Sequence, residues 1–587
     1  SEQEEGFVYY KLRASTADSS EVAEVKEGNF FLTVASRPAL AISDYKLVFE
    51  EDTSLETPYG FLHTAPSELA AISQTHVNQV PCAMSALAFP GLKRETFFTL
   101  IGFSADKGIV SDFSRKVDIA FLERKEGENR LLHEQLMDAV CTKTAEPLLD
   151  AYFRQCYLDN VLRGGKPLLF PTADGPVGYH IYSRKHGDLE RDYNFFTLEP
   201  SFYSQGNGNF RDVLQNRRND VFFEPRLGDA NITQFASFLQ ADGYNPLSIE
   251  GIRFSFAGDR ESLPSVLKVL PLTSFTPGMV ATALHREGIP VEPTLSNLIA
   301  QSRVEFKASY GEGYWEDHFT YFLDLIETYL AVYPDGEEAL LFDKNHPFFR
   351  SPVTVRPRSE KVVIRKDGSL RQYGSLHHRQ GDHGGWHQGT EGLLKANLAG
   401  KLLVLVLNKY GHLDPEGIGL SYEADRPGWN DAMNGLPGLF GSGVSEAIEL
   451  RKLAAYLLES LRRFSERNVL LPDLAVRLAT DLENIPTQGL PFRLWDERMN
   501  ALESYRARLE AEIPATVAVS ARCFLPLLET IVKTLDQGIE RAKSLGPILP
   551  TYLTYEALTY LPILDSEGKP KIGDYGLPLA QATAFTL

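Results

Sequence analysis

The sequence predicts a β-sandwich followed by a helical toroid or barrel, because the spacing of its apolar residues changes along the chain. From about residue 28 to 125, apolar residues form short runs rich in aromatic and β-branched side chains, separated by Gly, Pro, Asp and Ser. From about residue 129 they recur at helical spacing, and long loops join the helical segments. A β block followed by many helices is therefore expected.

Individual elements follow from these two patterns. The runs at 30–34 (FFLTV), 45–49 (YKLVF) and 96–101 (TFFTLI) are predicted to be strands. Helical spacing predicts helices in the segments 131–140, 148–157, 321–330, 393–407, 447–464, 502–513 and 524–539. Loops of more than about 12–15 residues are usually functional or disordered, and chemistry is expected in the long polar loops between these helices.

Composition excludes several classes of partner. The chain has 587 residues with ordinary apolar and charged content, as expected for a large folded protein of one or several domains. Its 59 basic and 78 acidic residues give a formal charge of −19, which would repel nucleic acid and anionic membrane surfaces. No apolar run approaches the ~20 residues that span a bilayer. Neither nucleic acid nor a membrane is an expected partner.

Cysteine usage favours a reducing cytoplasm, since the four cysteines include no CxxC pair and do not cluster with histidine. The chain begins with Ser1 rather than methionine and ends on a turn-rich stretch. Processing, tag removal and an excerpt of a longer protein all remain open.

The first polar constellation runs from residue 182 to 218 and contains YSRKHGD and YSQGNGNFRDVLQNRR. Glycines, amides and bidentate donors at this density suit the recognition of vicinal hydroxyls, which Asp, Asn and Arg can grip in pairs. A salt-bridged loop without a ligand is the alternative.

The second constellation is GYWEDH at residues 313–318, just before a predicted helix. Trp315 can stack on a pyranose face while Asp317 and its neighbours form hydrogen bonds with the hydroxyl groups of the sugar. Alternatively, Glu316 and Asp317 are helix N-terminal charges favoured by the helix dipole.

The third constellation, residues 377–391, holds four histidines within eleven residues together with Trp386. Its spacing matches neither HExxH nor a zinc knuckle, so no metal is predicted. Glycines between the histidines favour a loop that gates the substrate, with Trp386 as a binding residue.

The fourth constellation, residues 422–443, contains PGWNDAMNGLPG. Pro and Gly on both sides favour a rigid, non-helical stretch that presents Trp429 and Asp431 at the mouth of the helical domain. An aspartate beside an indole is partly desolvated, which raises its pKa toward that of a useful acid. An ordinary Asx-turn role for Asp431 is the alternative.

Two of these motifs resemble those of a known family. The string WNDAMN resembles the WNDGMN signature of the cellobiose phosphorylases of glycoside hydrolase family 94, and FRDVLQN resembles their FRDxxQD segment at the glycone subsite. The longer strings YSRKHGD, YSQGNGNFRDVLQNRR and EADRPGWNDAMNGLPGLFGS look closer still to the large β-1,3-glucan phosphorylases of glycoside hydrolase family 161. The resemblance covers roughly residues 145–450 by motif.

The resemblance implies an inverting phosphorylase that converts β-linked glucooligosaccharides, with β-1,3-glucan favoured, and inorganic phosphate to α-glucose 1-phosphate without a further cofactor. Asp431 would be the general acid. Substrate-binding residues would include Arg211, Asp212, Gln215, Trp429 and Asn430. The implied layout is a β-sandwich over 1–128, a helical linker over 129–165 and an (α/α)6-barrel domain over 166–587, expected to lack its carboxyl-terminal part.

The chain also departs from the family pattern. The last carboxylate of FRDxxQD is Asn216 here, so a carboxylate role does not transfer to it. The phosphate-binding His and Thr-Gly residues of the family lie far downstream of the acid, yet this chain has no histidine after Asp431. The phosphate site is therefore expected partly outside this chain, in a further polypeptide segment or a second copy. Otherwise Arg184, Lys185, Arg217, Arg218 and the histidine loop are the candidates.

Two other functions remain open. An inverting β-glucan hydrolase would need a second carboxylate roughly 6.5–9.5 Å from the acid to activate water, and phosphorolysis would not. The available carboxylates are Glu312, Asp317, Asp382 and Glu391. A non-catalytic glycan-binding subunit would keep the aromatic and amide residues but would not need an acid at 431.

Overall fold

A computed structural model of the protein describes most of the chain. The described residues are 2–4, 6–11, 27–74, 83–88, 91, 94–183, 201–311, 313–364, 370–372, 374–381, 383–423, 441–556, 561–564, 570–576 and 581–585. The structure is mixed α and β, 49% helical and 22% strand, with many small sheets in these ranges and no closed one. None of the described helices is both long and apolar enough to cross a membrane.

The chain divides into two compact units, Ser1–Leu158 and Asp159–Leu587. The strands of the first unit are β1 Glu2–Glu4, β2 Phe7–Tyr10, β3 Gly28–Ala35, β4 Leu40–Ile42, β5 Met84–Ala86 and β6 Phe97–Ser104. Its helices are α1 Tyr45–Phe49, α2 Tyr59–His63, α3 Pro66–Gln74, α4 Lys107–Ser114 and α5 Ile119–Met137, and α6 Pro147–Gly164 crosses into the second unit.

The first unit is built on an antiparallel sheet of order β1-β2-β3-β6. Leu32 of β3 lies opposite Leu100 of β6, and both belong to the apolar cluster on one face, which also includes Val110 of α4. The predictions of strands at 30–34 and 96–101 are thus confirmed, with the second strand beginning one residue late.

The prediction of a strand at 45–49 is wrong, because these residues form helix α1. The Asp44 side chain accepts a hydrogen bond from the Lys46 backbone N–H at 3.0 Å and caps this helix. A five-residue apolar run does not by itself distinguish a strand from a short buried helix, and here the capping residue indicates the helix.

The second unit has many short strands. They are β7 Lys166–Thr172, β8 Gly175–Ile181, β9 Gly208–Asn209, β10 Ser248–Phe256, β11 Ser302–Ser309, β12 Asn345–Pro347, β13 Phe349–Arg350, β14 Val353–Val355, β15 Val362–Ile364, β16 Leu370–Gln372, β17 Leu376–His378, β18 Gly385–Trp386, β19 Gln388–Gly389, β20 Gly392–Leu393, β21 Lys395–Asn397, β22 Leu420–Ser421, β23 Gly441–Gly443, β24 Asn468–Pro472, β25 Thr516–Ser520, β26 Tyr552–Glu556, β27 Leu561–Leu564, β28 Pro570–Gly576 and β29 Gln581–Phe585. Two sheets have more than two described strands, of order β11-β10-β9 and β22-β23-β26-β29.

Helices form the core of this unit. They are α7 Phe210–Arg217, α8 Asp220–Phe223, α9 Ala230–Phe238, α10 Ser265–Lys268, α11 Pro277–Arg286, α12 Val291–Ala300, α13 Phe322–Val332, α14 Glu337–Phe342, α15 Leu398–Gly411, α16 Val444–Arg463, α17 Asp473–Glu483, α18 Pro491–Ala511 and α19 Leu525–Ser544. Short 3-10 helices lie at Asp138–Val140, Pro225–Leu227, Arg260–Ser262, Glu316–Phe319, Pro334–Gly336, Arg358–Glu360 and Ala521–Phe524.

Helix α15 is the centre of the core, since every one of its residues is buried. The Asn397 side chain caps it by accepting from the Gly400 N–H at 3.0 Å, and α14, α16, α17 and α18 pack around it. Because a helix that is apolar on all sides must be surrounded by protein, the two lysines within it are buried as well.

Most predicted helices are confirmed. The segments 148–157, 447–464 and 524–539 lie almost entirely within α6, α16 and α19, and 321–330 coincides with α13 except for the capping Tyr321. In the segment 393–407 the helix begins only at Leu398, because Leu393 and 395–397 are in strands. The layout of sandwich, linker and barrel stays a prediction.

Candidate functional site

The candidate site is organised around the start of α7. The Asn209 side chain accepts a hydrogen bond from the Arg211 N–H at 3.0 Å and caps the helix. Phe210, Val213, Leu214 and Arg217 are buried at helical spacing. Arg211, Asp212 and Gln215 are therefore on the less buried faces of the helix, where each side chain is partly exposed.

Arg211 joins two motifs that lie 106 residues apart. Its Nη1 donates a hydrogen bond to Asp317 Oδ2, and its Nε donates to Asp212 Oδ1 at 3.4 Å. Burial alone would lower the pKa of Arg211, but Asp317 and Asp212 raise it. The first and second polar constellations of the sequence thus meet at one charged cluster.

The turn that carries Asp317 is held in place by the buried carboxylate of the neighbouring Glu316. Glu316 is 1% exposed, and its Oε2 lies 3.1 Å from Lys409 Nζ and 3.2 Å from His412 Nδ1. Burial would raise the pKa of Glu316, but Lys409 and His412 lower it below the usual value. This 3-10 turn is therefore tied to the carboxyl-terminal end of α15 through Glu316.

His318, in the same turn, is kept neutral. Its imidazole is buried, lies 3.2 Å from the Asn245 amide through Nδ1, and is nearly parallel to the rings of Phe210 and Trp315. Burial lowers its pKa to about 4. The Trp315 ring therefore lies in an offset, nearly parallel arrangement with this imidazole.

A second buried network surrounds Tyr244. The Tyr244 hydroxyl donates to Glu423 Oε1 at 2.9 Å, and Lys361 Nζ lies 2.6 Å from Glu423 Oε2. Lys409 and Arg506 lie over the Tyr244 ring at 4.8 and 5.0 Å from its centroid. Burial would raise the pKa of Glu423, but Lys361, His412 and Arg506 lower it to about 2. Glu423 is therefore a permanently charged, internal carboxylate.

Glu446 is the opposite case, a carboxyl group whose pKa is raised. It is 6% exposed, and burial together with the charge of Asp317 raises its pKa to about 7. The Tyr422 hydroxyl donates to its Oε1 at 3.1 Å, and the Ser445 hydroxyl donates to its Oε2 at 2.8 Å. Raised carboxyl pKa values of this kind are concentrated at functional sites.

A cavity of about 230 Å³ lies beside the Tyr244 network. Its basic lining residues are Arg350, Arg356, Lys361, Arg379 and Arg506. Its acidic lining residues are Asp242, Glu360, Glu503 and Glu510. Glu503 binds Arg358, and Glu510 binds Arg379. Burial raises the pKa of Asp242, which makes it a weaker counter-charge.

Some predicted residues lie elsewhere or lack a contact with the cluster. The indole of Trp386 packs instead against other aromatic rings, nearly parallel to the Phe238 ring at 6.2 Å and edge-on to the Phe349 ring at 5.8 Å. Gln215 has no hydrogen bond to another described residue. Of the alternative carboxylates, Glu391 is exposed. Within the described part of the chain, no group of three or more His, Cys, Asp or Glu residues could hold a metal ion.

Other predictions fall outside the described residues. They concern Trp429, Asn430, Asp431, Glu312, Asp382, Arg184 and Lys185. Of the remaining anion-site candidates, Arg217 is buried against Gln234 at 3.1 Å, and Arg218 binds Asp324 at 3.0 Å.

Sequence reasoning missed the buried charges of Glu423, Glu446, Lys361 and His412, and it did not single out Arg506. One signal was present, since Lys401 and Lys409 both lie within the largely apolar run LAGKLLVLVLNKYG. A lysine in such a helix is expected to be buried and to need a polar partner, which is Glu316 for Lys409 and the Leu239 carbonyl for Lys401.

No protein-family model matches this chain, and no curated protein matches it either.

Proposed function

We propose that the protein is an inverting phosphorylase of β-linked glucooligosaccharides, with β-1,3-glucan as the favoured substrate. The products are α-glucose 1-phosphate and a glucan shortened by one unit. The proposal includes the architecture implied by the motifs, a β-sandwich followed by an (α/α)6 barrel, and a cytoplasmic setting. It rests on the resemblance of the FRDVLQN and WNDAMN segments to those of inverting phosphorylases.

The observation that carries the proposal is the ion pair between Arg211 and Asp317. These residues come from two motifs for which the sequence favours sugar recognition, and both side chains are partly exposed, at 17% and 15%. A guanidinium held between Asp317 and Asp212 keeps a fixed orientation, as recognition of vicinal hydroxyls requires. Trp315, next to Asp317, supplies an apolar surface for the pyranose ring.

The chemistry needs one acid and one nucleophile. Asp431 donates its proton to the glycosidic oxygen as the bond from that oxygen to C1 breaks. A phosphate oxygen attacks C1 from the opposite face, so the β linkage becomes an α phosphate ester. Because phosphate is the nucleophile, no carboxylate base is required.

The cavity beside Tyr244 is our candidate for the phosphate site. Five basic side chains line it, and guanidinium groups bind phosphate oxygens in pairs. Among them, Arg506 has no carboxylate within ion-pair distance in the described part of the chain, and its contacts are the Asp242 carbonyl at 3.2 Å and the Tyr244 ring. A bound anion beside Arg506 would add a direct counter-charge to the longer-range effect of Glu423 and Asp242.

Inverting hydrolysis is the second candidate function, and Glu446 is the observation that favours it. A carboxyl group with a pKa of about 7 is in the range where a general base is effective at neutral pH. Asp317 is a weaker candidate for the general base, because its carboxylate forms an ion pair with Arg211. A glycan-binding subunit without activity is the third possibility.

One experiment separates these functions. The protein is incubated with β-1,3-, β-1,4- and β-1,6-linked glucooligosaccharides, with and without inorganic phosphate, and glucose 1-phosphate and free glucose are assayed. Phosphorolysis predicts phosphate-dependent formation of the α ester, which proton NMR identifies by its anomeric coupling. Free glucose formed without phosphate would establish hydrolysis. Binding of an oligosaccharide without turnover would establish the glycan-binding function.

A further inference from the structure

One wall of the cavity beside Tyr244 is a tight turn at residues 240–244. The Gln240 N–H donates to the Tyr244 carbonyl at 2.9 Å and closes the turn. Arg506 of α18 donates from Nη2 to the Asp242 carbonyl at 3.2 Å and ties the turn to that helix. Gln240, Asp242 and Arg506 all line the cavity, so their side chains are held at one end of it.

The Gln240 side chain has one defined orientation. It is 4% exposed, and its Oε1 accepts a hydrogen bond from the Ser351 backbone N–H at 2.8 Å. Because only the oxygen of an amide can accept, the other end of this side chain is the NH2 group. Nε2 makes no hydrogen bond within the described part of the chain. The turn therefore holds a buried donor without an acceptor.

Two further buried donors at this cavity also lack an acceptor. Ser351 is 2% exposed, and neither its hydroxyl nor Arg506 Nε has a hydrogen-bond partner among the residues that the structure describes. Gln240 and Ser351 lie near the Tyr314 hydroxyl, but that group donates to the Val353 carbonyl at 2.7 Å. An unpaired buried donor costs about 1–3 kcal/mol, so three donors at one cavity indicate a ligand that accepts hydrogen bonds.

The charge of the cavity limits which acceptor fits. Three of its basic side chains are engaged in ion pairs: Arg356 with Glu360, Arg379 with Glu510, and Lys361 with Glu423. Asp242 and Glu503 also line the cavity. Its surplus of positive charge is therefore small, and an oxyanion that keeps a proton suits it better than one that has none.

Asp242 can accept a hydrogen bond from such a proton. Its Oδ1 accepts from the Tyr244 N–H at 3.2 Å, and its Oδ2 has no hydrogen-bond partner within the described ranges. Burial raises the pKa of the Asp242 carboxyl, so its carboxylate accepts a hydrogen bond more strongly than an exposed one does. Inorganic phosphate retains a P–OH group at neutral pH, whereas sulfate has no proton to donate and would be repelled.

We propose that the cavity binds inorganic phosphate through Gln240, Ser351 and Arg506, which donate to its oxygens. Asp242 accepts from the P–OH group and thereby selects phosphate over sulfate. The cavity volume of about 230 Å³ has room for an anion of this size. The choice of phosphate as the ligand rests on the proposed function, whereas the set of donors rests on the hydrogen bonds that these side chains leave unmade.

The first experiment measures the Kd for inorganic phosphate by isothermal titration calorimetry. Ser351→Ala should raise this Kd at least about fivefold, since it removes a donor to a charged ligand. Gln240→Glu keeps the acceptor for the Ser351 N–H but replaces the free donor with a carboxylate oxygen, so it should raise the Kd further still. If both variants bind phosphate as tightly as the wild-type protein, the proposal is wrong.

Ser302→Ala is the matched control. Ser302 is also buried, but its hydroxyl donates to the Leu298 carbonyl at 2.8 Å, and it lies outside the cavity lining. Its Kd for phosphate should stay within about twofold of the wild-type value. Phosphate should raise the Tm of the wild-type protein and of Ser302→Ala more than that of Ser351→Ala. An equal rise in all three proteins would contradict the role of Ser351.

Sulfate tests the role of Asp242. At pH 8 the wild-type protein should bind sulfate at least about tenfold more weakly than phosphate. Asp242→Asn keeps an oxygen for the Tyr244 N–H and turns the other carboxylate oxygen into a donor, so the two Kd values should come within about threefold of each other. Equal binding of both anions by the wild-type protein, or an unchanged preference in the variant, would refute the selectivity.

Turnover separates this inference from the proposed function. If phosphate binds with the expected effects of the variants but no glucose 1-phosphate forms, the proposed function fails and the anion site stands. If phosphate-dependent turnover is found and Ser351→Ala leaves the KM for phosphate unchanged, the proposed function stands and the anion site is overturned.

Discussion

Lys409 and Glu316 form an ion pair in the protein interior, with Nζ 3.1 Å from Oε2 and side chains that are only 4% and 1% exposed. The pair connects the end of the central helix α15 to the turn that presents Asp317. Because both charges have been removed from water, each depends on the other for stabilisation.

Glu316→Gln should therefore destabilise the protein strongly, by about 3–5 kcal/mol, since it leaves the Lys409 ammonium buried without its counter-charge. Chemical denaturation followed by fluorescence measures the change. The matched control is Glu327→Gln, which removes an exposed ion pair with Lys452 of similar length, 2.9 Å, and should cost less than about 1 kcal/mol. Equal effects of the two substitutions would contradict the role assigned to burial.

Arg211→Lys should weaken activity although it keeps the positive charge. A lysine ammonium cannot hold Asp317 and Asp212 with a planar fork, so kcat/KM for the oligosaccharide should fall by about a hundredfold. Arg218→Lys, seven residues further along the chain, disturbs the ion pair with Asp324 and the contact with the Tyr321 ring, and should change kcat/KM less than about twofold. If the two variants behave alike, Arg211 does not orient the substrate.

Asp431→Asn should retain the fold, judged by circular dichroism, and lose about 10²–10⁴-fold in kcat on oligosaccharides, because an amide cannot protonate the departing oxygen. Activity within about threefold of the wild-type value would remove Asp431 from the mechanism.

Titration of Glu446 should lower the free energy of unfolding of the protein as pH rises toward neutrality. Burial and Asp317 raise its folded-state pKa from 4.5 to about 7, so the folded state binds more protons than the unfolded state between these values. The stabilisation is fully present below pH 4.5, is lost as pH rises through about 7, and amounts to about 3 kcal/mol.

The measurement is the unfolding free energy at pH 5 and pH 8 in the wild-type protein and in Glu446→Gln. An amide does not titrate, so the variant should lose less stability than the wild-type protein between the two pH values. The comparison cancels the opposite contribution of carboxylates with lowered pKa, such as Glu423. Identical pH dependence in both proteins would show that Glu446 ionises normally.

Arg506→Gln should raise the KM for phosphate at least about tenfold, since it removes a charged donor from the proposed anion cavity. The KM for the oligosaccharide should change less than about twofold if the cavity holds phosphate alone. Arg508→Gln, two residues further along α18 and outside the cavity lining, is the control. A rise in the KM for the glucan instead of phosphate would assign the cavity to the sugar.

Much of the local structure could be predicted from the sequence. Short runs of aromatic and β-branched residues predicted strands β3 and β6, and the 3.6-residue period predicted α13, α16 and α19. The same reasoning was wrong at 45–49, where the cap from Asp44 favours a helix. The sequence also indicated which segments are rich in groups that recognise hydroxyls, including those that hold Arg211 and Asp317.

Only the tertiary structure decided which polar and charged side chains contact each other. Arg211 and Asp317 are separated by 106 residues, Glu316 and His412 by 96, and Tyr244 and Glu423 by 179. No periodicity extends over such distances, since these contacts depend on how helix ends and loops from distant parts of the chain pack together. Composition determined that the chain would carry many charges and bury a large apolar core. Packing then enclosed a few of those charges in that core, and the cost of removing them from water forces each to lie beside a partner.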